Sequence, residues 1–161
     1  MPDSSRANGG ADSPDQRWMA EALLLAGAAA AEGEVPVGAV AVFEGRVVGA
    51  GRNAREARRD PLAHAELEAI SAAARVLGRW RLTGVTLYAT LEPCAMCAGA
   101  LVNARVDRVV FGAADPKAGA AGSVLDVLGE RRLNHRPKVT AGVLEAECAA
   151  RLTAFFRERR V

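Results

Sequence analysis

The chain has 161 residues, half of them hydrophobic, and a formal net charge of +2. That is enough apolar material for one packed core and too much for a disordered chain, while three cysteines are too few for a disulfide scaffold. The charge is too small to argue for nucleic acid, although all of the 21 cations except Lys117 and Lys138 are Arg, the residue suited to forked phosphate contacts and to stacking on bases.

Residues 1–13 are nearly free of apolar side chains and contain Asn8-Gly9-Gly10, so a disordered tail is expected ahead of a single domain over 14–161. Ser13-Pro14-Asp15-Gln16 reads as a capping box that opens a first helix over Pro14 to Ala31. The apolar run Ala22 to Ala31 loosely imitates a signal-peptide core. It falls short of the roughly 20 residues that span a bilayer, and Asp12, Asp15 and Glu21 stand where a signal peptide is basic. Val37 to Phe43 and Arg46 to Gly51 make a hairpin about Glu44-Gly45. Asn53 to Asp60 reads as a basic loop with Arg55, Arg58 and Arg59. A second helix over Ala63 to Leu77 is expected to bury Leu67, Ile70, Ala74 and Leu77.

Val85 to Ala89 is a third strand, and a helix with Pro93 as its first residue follows, running to about Ala104. Arg108 to Phe111 is a fourth strand. A Gly- and Ala-rich loop over 112–122 is a candidate to face substrate. A short helix over Ser123 to Leu128, a last strand over Val139 to Val143 and a final helix from Glu145 complete the chain. That helix is expected to bury Leu144, Cys148, Leu152 and Phe155. Strands alternating with helices predict an α/β fold with helices on both faces of the sheet.

The chemistry concentrates in His64-Ala65-Glu66 and Pro93-Cys94-Ala95-Met96-Cys97. Cys94 and Cys97, three apart at a helix start, share a face, and the positive end of the helix favours the thiolates that bind metal. A closed structural zinc site takes four protein ligands, and this chain has no second Cys-x-x-Cys. His64 as a third ligand would leave a position for water, the arrangement of a hydrolytic zinc centre. Residues two apart on a helix point about 200° from each other, so Glu66 shares a target with His64 only where a helix begins with its axis aimed at the site. Asp60-Pro61 suits such a beginning, and Glu66 is then placed to carry protons. The plainer alternative is a solvated helix start and two buried thiols. Cys148 has no partner, which favours a small core residue and a reducing cytoplasm over secretion.

Together these motifs resemble the zinc-dependent nucleoside and nucleobase deaminases. Glu34 to Val40, Thr90 to Ala100, Gly112 to Ser123 and Phe155-Phe156-Arg157 narrow the resemblance to the bacterial tRNA-specific adenosine deaminases, which convert the wobble adenosine of an anticodon to inosine. The resemblance spans about Asp15 to Arg160. Leu62 and Ala118 stand where members often carry Thr, and Ala114 where some carry Arg. The resemblance implies a three-layer α/β/α fold of the cytidine deaminase kind, with a central five-stranded mixed sheet. It implies one zinc per chain on His64, Cys94 and Cys97, with Glu66 as proton shuttle. Asn53 and the backbone N–H of Ala65 would meet the purine, and Asp115 and Lys117 the anticodon loop, arginine tRNA being the expected substrate. By themselves Asn53 reads as an Asx turn closing the hairpin and Asp115-Pro116 as an ordinary turn. His135, in a polar loop, needs no function. A cytoplasmic homodimer without membrane attachment is implied as well. The alternatives are a free guanine or cytosine deaminase on the same fold and a non-catalytic RNA-binding zinc protein.

Overall fold

A computed structural model of the protein describes residues 13–159. The expected tail lies outside the described residues except for Ser13, which caps helix α1 (Pro14–Ala31). The Gln16 N–H donates to Ser13 Oγ at 3.2 Å and the Ser13 N–H to Gln16 Oε1 at 3.1 Å, so the expected capping box is formed. Strands β1 (Gly38–Phe43) and β2 (Arg46–Arg52) form the hairpin. Its turn places Glu44 at φ 51° and Gly45 at φ 74°, the left-handed pair that matches the strand twist. Then follow α2 (Arg55–Arg58), α3 (Ala65–Leu77), β3 (Thr86–Leu91), α4 (Ala95–Asn103), β4 (Arg108–Ala113), β5 (Lys138–Thr140) and α5 (Glu145–Glu158).

The five strands form one mixed sheet in the order β2-β1-β3-β4-β5, with β1 antiparallel to both neighbours and β3, β4 and β5 parallel. Side chains alternate between its faces. Ala39, Ala41, Leu87, Ala89 and Val109 join Ala69, Ile70 and Ala73 of α3 and Ala98, Leu101 and Val102 of α4 in one core layer. Val40, Val42, Tyr88 and Val110 join Met19, Ala22 and Leu23 of α1 and Cys148 of α5 in the other. This is the expected three-layer α/β/α arrangement.

Two glycines of β2 let α3 lie directly on the sheet. A Cβ on Gly51 would come within 2.3 Å of the Ala65 carbonyl oxygen, and one on Gly49 within 2.1 Å of that of Ala69. Any larger residue there would lift the first turn of α3, and with it His64 and Glu66.

Several local expectations are corrected. The basic loop contains the short helix α2. Asp60 caps a turn instead of opening α3, its Oδ1 accepting from the Leu62 N–H at 2.9 Å, and the helix starts later with His64 as N-cap. The buried stripe of α3 is Ala65, Glu66, Ala69, Ile70 and Ala73, while Leu67, Ala74 and Leu77 pack half-buried at its margins. The small residues go inward because the helix backbone sits so close to β2. Cys94 is the N-cap of α4, which puts Pro93 outside the helix. Ser123 to Leu128 forms turns in place of a helix, and the last strand is shorter and earlier than expected. In α5 only Cys148 and Phe155 are fully buried, with Leu144 and Leu152 at the edge. His135 is structural, bonding the Val106 carbonyl at 2.6 Å. No helix among the described residues is long and apolar enough to cross a membrane.

Candidate active site

The C-terminal ends of β2, β3 and β4 and the start of β1 lie along one edge of the sheet, where loops of an open α/β fold commonly bind ligands. Helices α3 and α4 begin at this edge. His64 and Cys94 occupy their N-caps, and neither side chain caps its own helix. They turn toward each other instead. Nδ1 of His64 lies 3.6 Å from the sulfur of Cys94 and 3.4 Å from that of Cys97, and the three ligand atoms all fall within 4.8 Å of one another. A tetrahedral ion with metal–sulfur bonds of about 2.3 Å and a metal–nitrogen bond of about 2.0 Å needs nitrogen–sulfur edges of about 3.5 Å. The group could therefore hold a metal with little movement.

Electrostatics point the same way. The Cys94 thiol is held down at about 3 by the Cys97 thiol and by His64, whose own pKa is raised chiefly by Cys94. The second thiol is pushed far up, first by its hydrogen bond to Cys94 and then by burial and the nearby Glu66. A divalent ion bound there would let both sulfurs carry charge.

Glu66 is 4% exposed in the first turn of α3, and its pKa is raised by burial, with His64 acting against the shift. It shares with His64, Ala65 and Cys94 a cleft of about 210 Å³ that Asn53, Arg55, Glu92, Asp115 and Ala118 also line. Asn53 is fixed at both ends of its amide. Nδ2 donates to the Val35 carbonyl at 3.2 Å, and Oδ1 accepts from the Arg55 N–H at 3.3 Å, which is the Asx turn expected of it. Each end keeps one further hydrogen-bonding position. Ala65 lies in the first helical turn, where backbone N–H groups have no intrahelical acceptor. Asp115 borders the cleft but spends Oδ1 on the N–H groups of Lys117 and Ala118, at 3.0 and 3.2 Å. Lys117 is exposed and not part of the cleft lining.

Residues 13–160 match the model of the MafB19-like deaminase family. The chain is similar to the tRNA-specific adenosine deaminase of Bacillus subtilis (strain 168), 51% identical over 146 residues that cover 91% of each protein. It belongs to the tRNA-specific adenosine deaminase family. Among solved structures, a tRNA:A34 deaminase that edits A to I at the wobble position aligns with a TM-score of 0.82 and 43% identity, over 84% of this chain and 99% of that one. A guanine deaminase from Nitrosomonas europaea aligns with a TM-score of 0.77 at 26% identity, over 96% of this chain and 92% of that one.

Two buried carboxylates of this tRNA-specific adenosine deaminase family member carry no motif signal as site residues, yet they shape the cleft. Glu34, 1% exposed, accepts from the N–H groups of Glu56 and Ala57 at 3.2 and 2.7 Å and so holds the start of α2 beside the cleft. Glu92, 2% exposed, accepts from the N–H groups of Asp115, Ala121 and Ser123 at 3.0, 2.9 and 3.1 Å and from the Ser123 hydroxyl. Burial alone would raise its pKa, but the Ser123 hydroxyl and the three N–H groups outweigh it, and the carboxyl lies below its ordinary value. The available signal was that both stand in stretches that carry the family resemblance, Glu34 to Val40 and Thr90 to Ala100.

Proposed function

We propose that the protein hydrolyses the wobble adenosine of a tRNA anticodon to inosine and ammonia, with residues 14–161 as the catalytic domain. The observation that carries the reading is the convergence of His64, Cys94 and Cys97 on one point of a cleft that also holds a buried glutamate. The 51% identity to a tRNA-specific adenosine deaminase, against 26% to a guanine deaminase, supports tRNA over a free base. Arginine tRNA as substrate, a homodimer as the working form and the cytoplasm as its location rest on the family resemblance.

His64, Cys94 and Cys97 would hold one zinc ion, as the matching nitrogen–sulfur spacings support. Bound there, zinc supplies a Lewis acid that makes water acidic enough to serve as nucleophile near neutral pH. Glu66, ionised, accepts a proton from the water that attacks C6 of the adenine and delivers it to ring N1. It then passes the second proton to the exocyclic nitrogen, which leaves as ammonia. The free hydrogen-bonding positions of Asn53 and the first-turn N–H of Ala65 orient the purine edge. The walls of the cleft keep bulk water from competing. Asp115, at the border of the cleft, and Lys117, outside it, meet the RNA. The adenosine must leave its stack to enter, which costs less in a short single-stranded loop than in a duplex.

The test is to incubate the zinc-loaded protein with arginine tRNA and sequence the wobble position, with free guanine and cytosine assayed in parallel. Inosine at that position alone is expected. Ammonia from a free base with the tRNA unchanged would select the nucleobase alternative, and retained zinc without any turnover would select the non-catalytic RNA-binding one.

A further inference from the structure

The segment between β4 and the turns near Leu125 supplies one wall of the cleft through Asp115 and Ala118. It is fastened to the β3–α4 junction in two ways. Its middle is held by backbone: the Ala120 N–H donates to the Pro93 carbonyl at 2.8 Å, and Gly119 pairs with Cys94 in an antiparallel bridge. Its two flanks are held by Glu92. Oε1 takes the Asp115 N–H and the Ser123 hydroxyl; Oε2 takes the N–H groups of Ala121 and Ser123. Among the described residues no cation pairs with this carboxylate. Gly119 closes over it so tightly that a Cβ there would come within 2.4 Å of the carboxyl carbon.

We propose that Glu92 is a positioning residue for substrate binding, its carboxylate clamping the 115–123 segment into the wall that the RNA meets, with no part in metal binding or proton transfer. This rests on the tRNA reading above. The backbone fastening at Pro93 and Cys94 is independent of the Glu92 side chain. Loss of the clamp therefore leaves the cysteine ligands in place and frees the flanks.

Glu92→Gln tests this with little change of volume. The amide group faces N–H donors wherever it sits. In the Oε2 position it opposes two N–H groups that cannot reverse. In the Oε1 position it opposes only the Asp115 N–H, since the Ser123 hydroxyl can turn and accept. The second arrangement costs less, so the Asp115 end is the one released. In the zinc-loaded protein, hydrogen exchange at the Asp115 amide should speed up about tenfold or more, the effect of losing one hydrogen bond to a charged acceptor, while the amides of Ala121 and Ser123 stay protected. With an anticodon stem-loop as substrate, KM should rise about tenfold, kcat should change less than about twofold, and zinc content should not change. Ser123→Ala, which keeps the carboxylate, should raise KM less, and the double variant should cost less than the product of the two. If Glu92→Gln does not fold, Ser123→Ala carries the test alone, and an unchanged KM there would overturn the proposal. Loss of zinc, or a fall in kcat with KM unchanged, would place Glu92 in the chemistry and overturn the proposal, as would unchanged exchange at Asp115. If the unsubstituted protein edits no stem-loop, the tRNA reading fails, and the exchange pattern still decides whether the clamp exists.

Discussion

Replacing Glu66 with Gln separates proton transfer from metal binding. The side chain is buried in the first turn of α3, and Gln has nearly its volume, so neither a cavity nor a clash is made. Burial raises the pKa of this carboxyl, which means its charge is not what stabilises the fold. The first turn loses one acid but keeps Glu68, a change of about 0.3 to 1 kcal/mol through the helix dipole. Folding stability should thus be nearly preserved. The Glu66 carboxylate lies outside the group of His64, Cys94 and Cys97 that could hold a metal, so zinc content and tRNA affinity should also survive. The amide cannot carry a proton, and general acid–base catalysis is worth about 10² to 10⁴ in rate, or roughly 3 to 5 kcal/mol of barrier. Single-turnover inosine formation should fall by that factor, with metal analysis and RNA binding measured on the same preparation. Loss of zinc would put the carboxylate among the ligands, and near-normal turnover with zinc in place would mean that another group moves the proton. Either result refutes the assignment.

Cys94→Ser should lose most of its zinc by metal analysis, and full retention would remove Cys94 from the site. Lys117→Ala should weaken tRNA binding and reduce the slope of log affinity against log salt by about 0.7, the contribution of one single-strand phosphate; an unchanged slope would mean that this exposed lysine meets none. Asp15 anchors α1 to the sheet by accepting from both terminal nitrogens of Arg108, at 2.8 and 2.7 Å, and from the Tyr88 hydroxyl at 2.8 Å. Asp15→Asn should cost about 1 to 2 kcal/mol in a denaturant titration at pH 7, after discount for partial exposure. Its pKa is lowered in the folded state, mainly by the Arg108 hydrogen bonds, so this contribution is complete above the ordinary value of 3.8 and lost as pH falls through the folded value. The gap between the two proteins should close in acid, and a gap that persisted there would argue against an ionic origin.

Signals confined to neighbours in sequence were legible from the residues alone. The capping box at Ser13 and the turn at Glu44-Gly45 depend on atoms a few positions apart, and both formed as read. The grouping of His64, Cys94 and Cys97 was also legible, because a helix start fixes the spacing of the two cysteines and the His64-x-Glu66 pattern singled out the histidine. The type of most elements followed from periodicity, with the failures falling where periodicity is short, at α2, at Ser123 to Leu128 and in the bounds of β5.

What the tertiary structure alone decided is where each element presses on another. A pattern of apolar residues in α3 predicted large side chains inward, but the two β2 glycines bring the backbones so close that Ala65, Ala69 and Ala73 take the interface. Asp60-Pro61 predicts a second helix from Ala63, yet His64 is its N-cap and α3 starts at Ala65, where its N-terminus meets that of α4. The buried carboxylates Glu34 and Glu92 find their donors 22 to 31 residues away, in segments with no sequence mark of the contact. The sequence determined which reactive groups the chain carries, since the His64-x-Glu66 and Cys94-x-x-Cys97 pairs are fixed by identity and short spacing, while the fold closed the 30 residues between them. The fold decided which walls surround that chemistry, because a buried charge is satisfied only by whatever donors the packed chain brings to it.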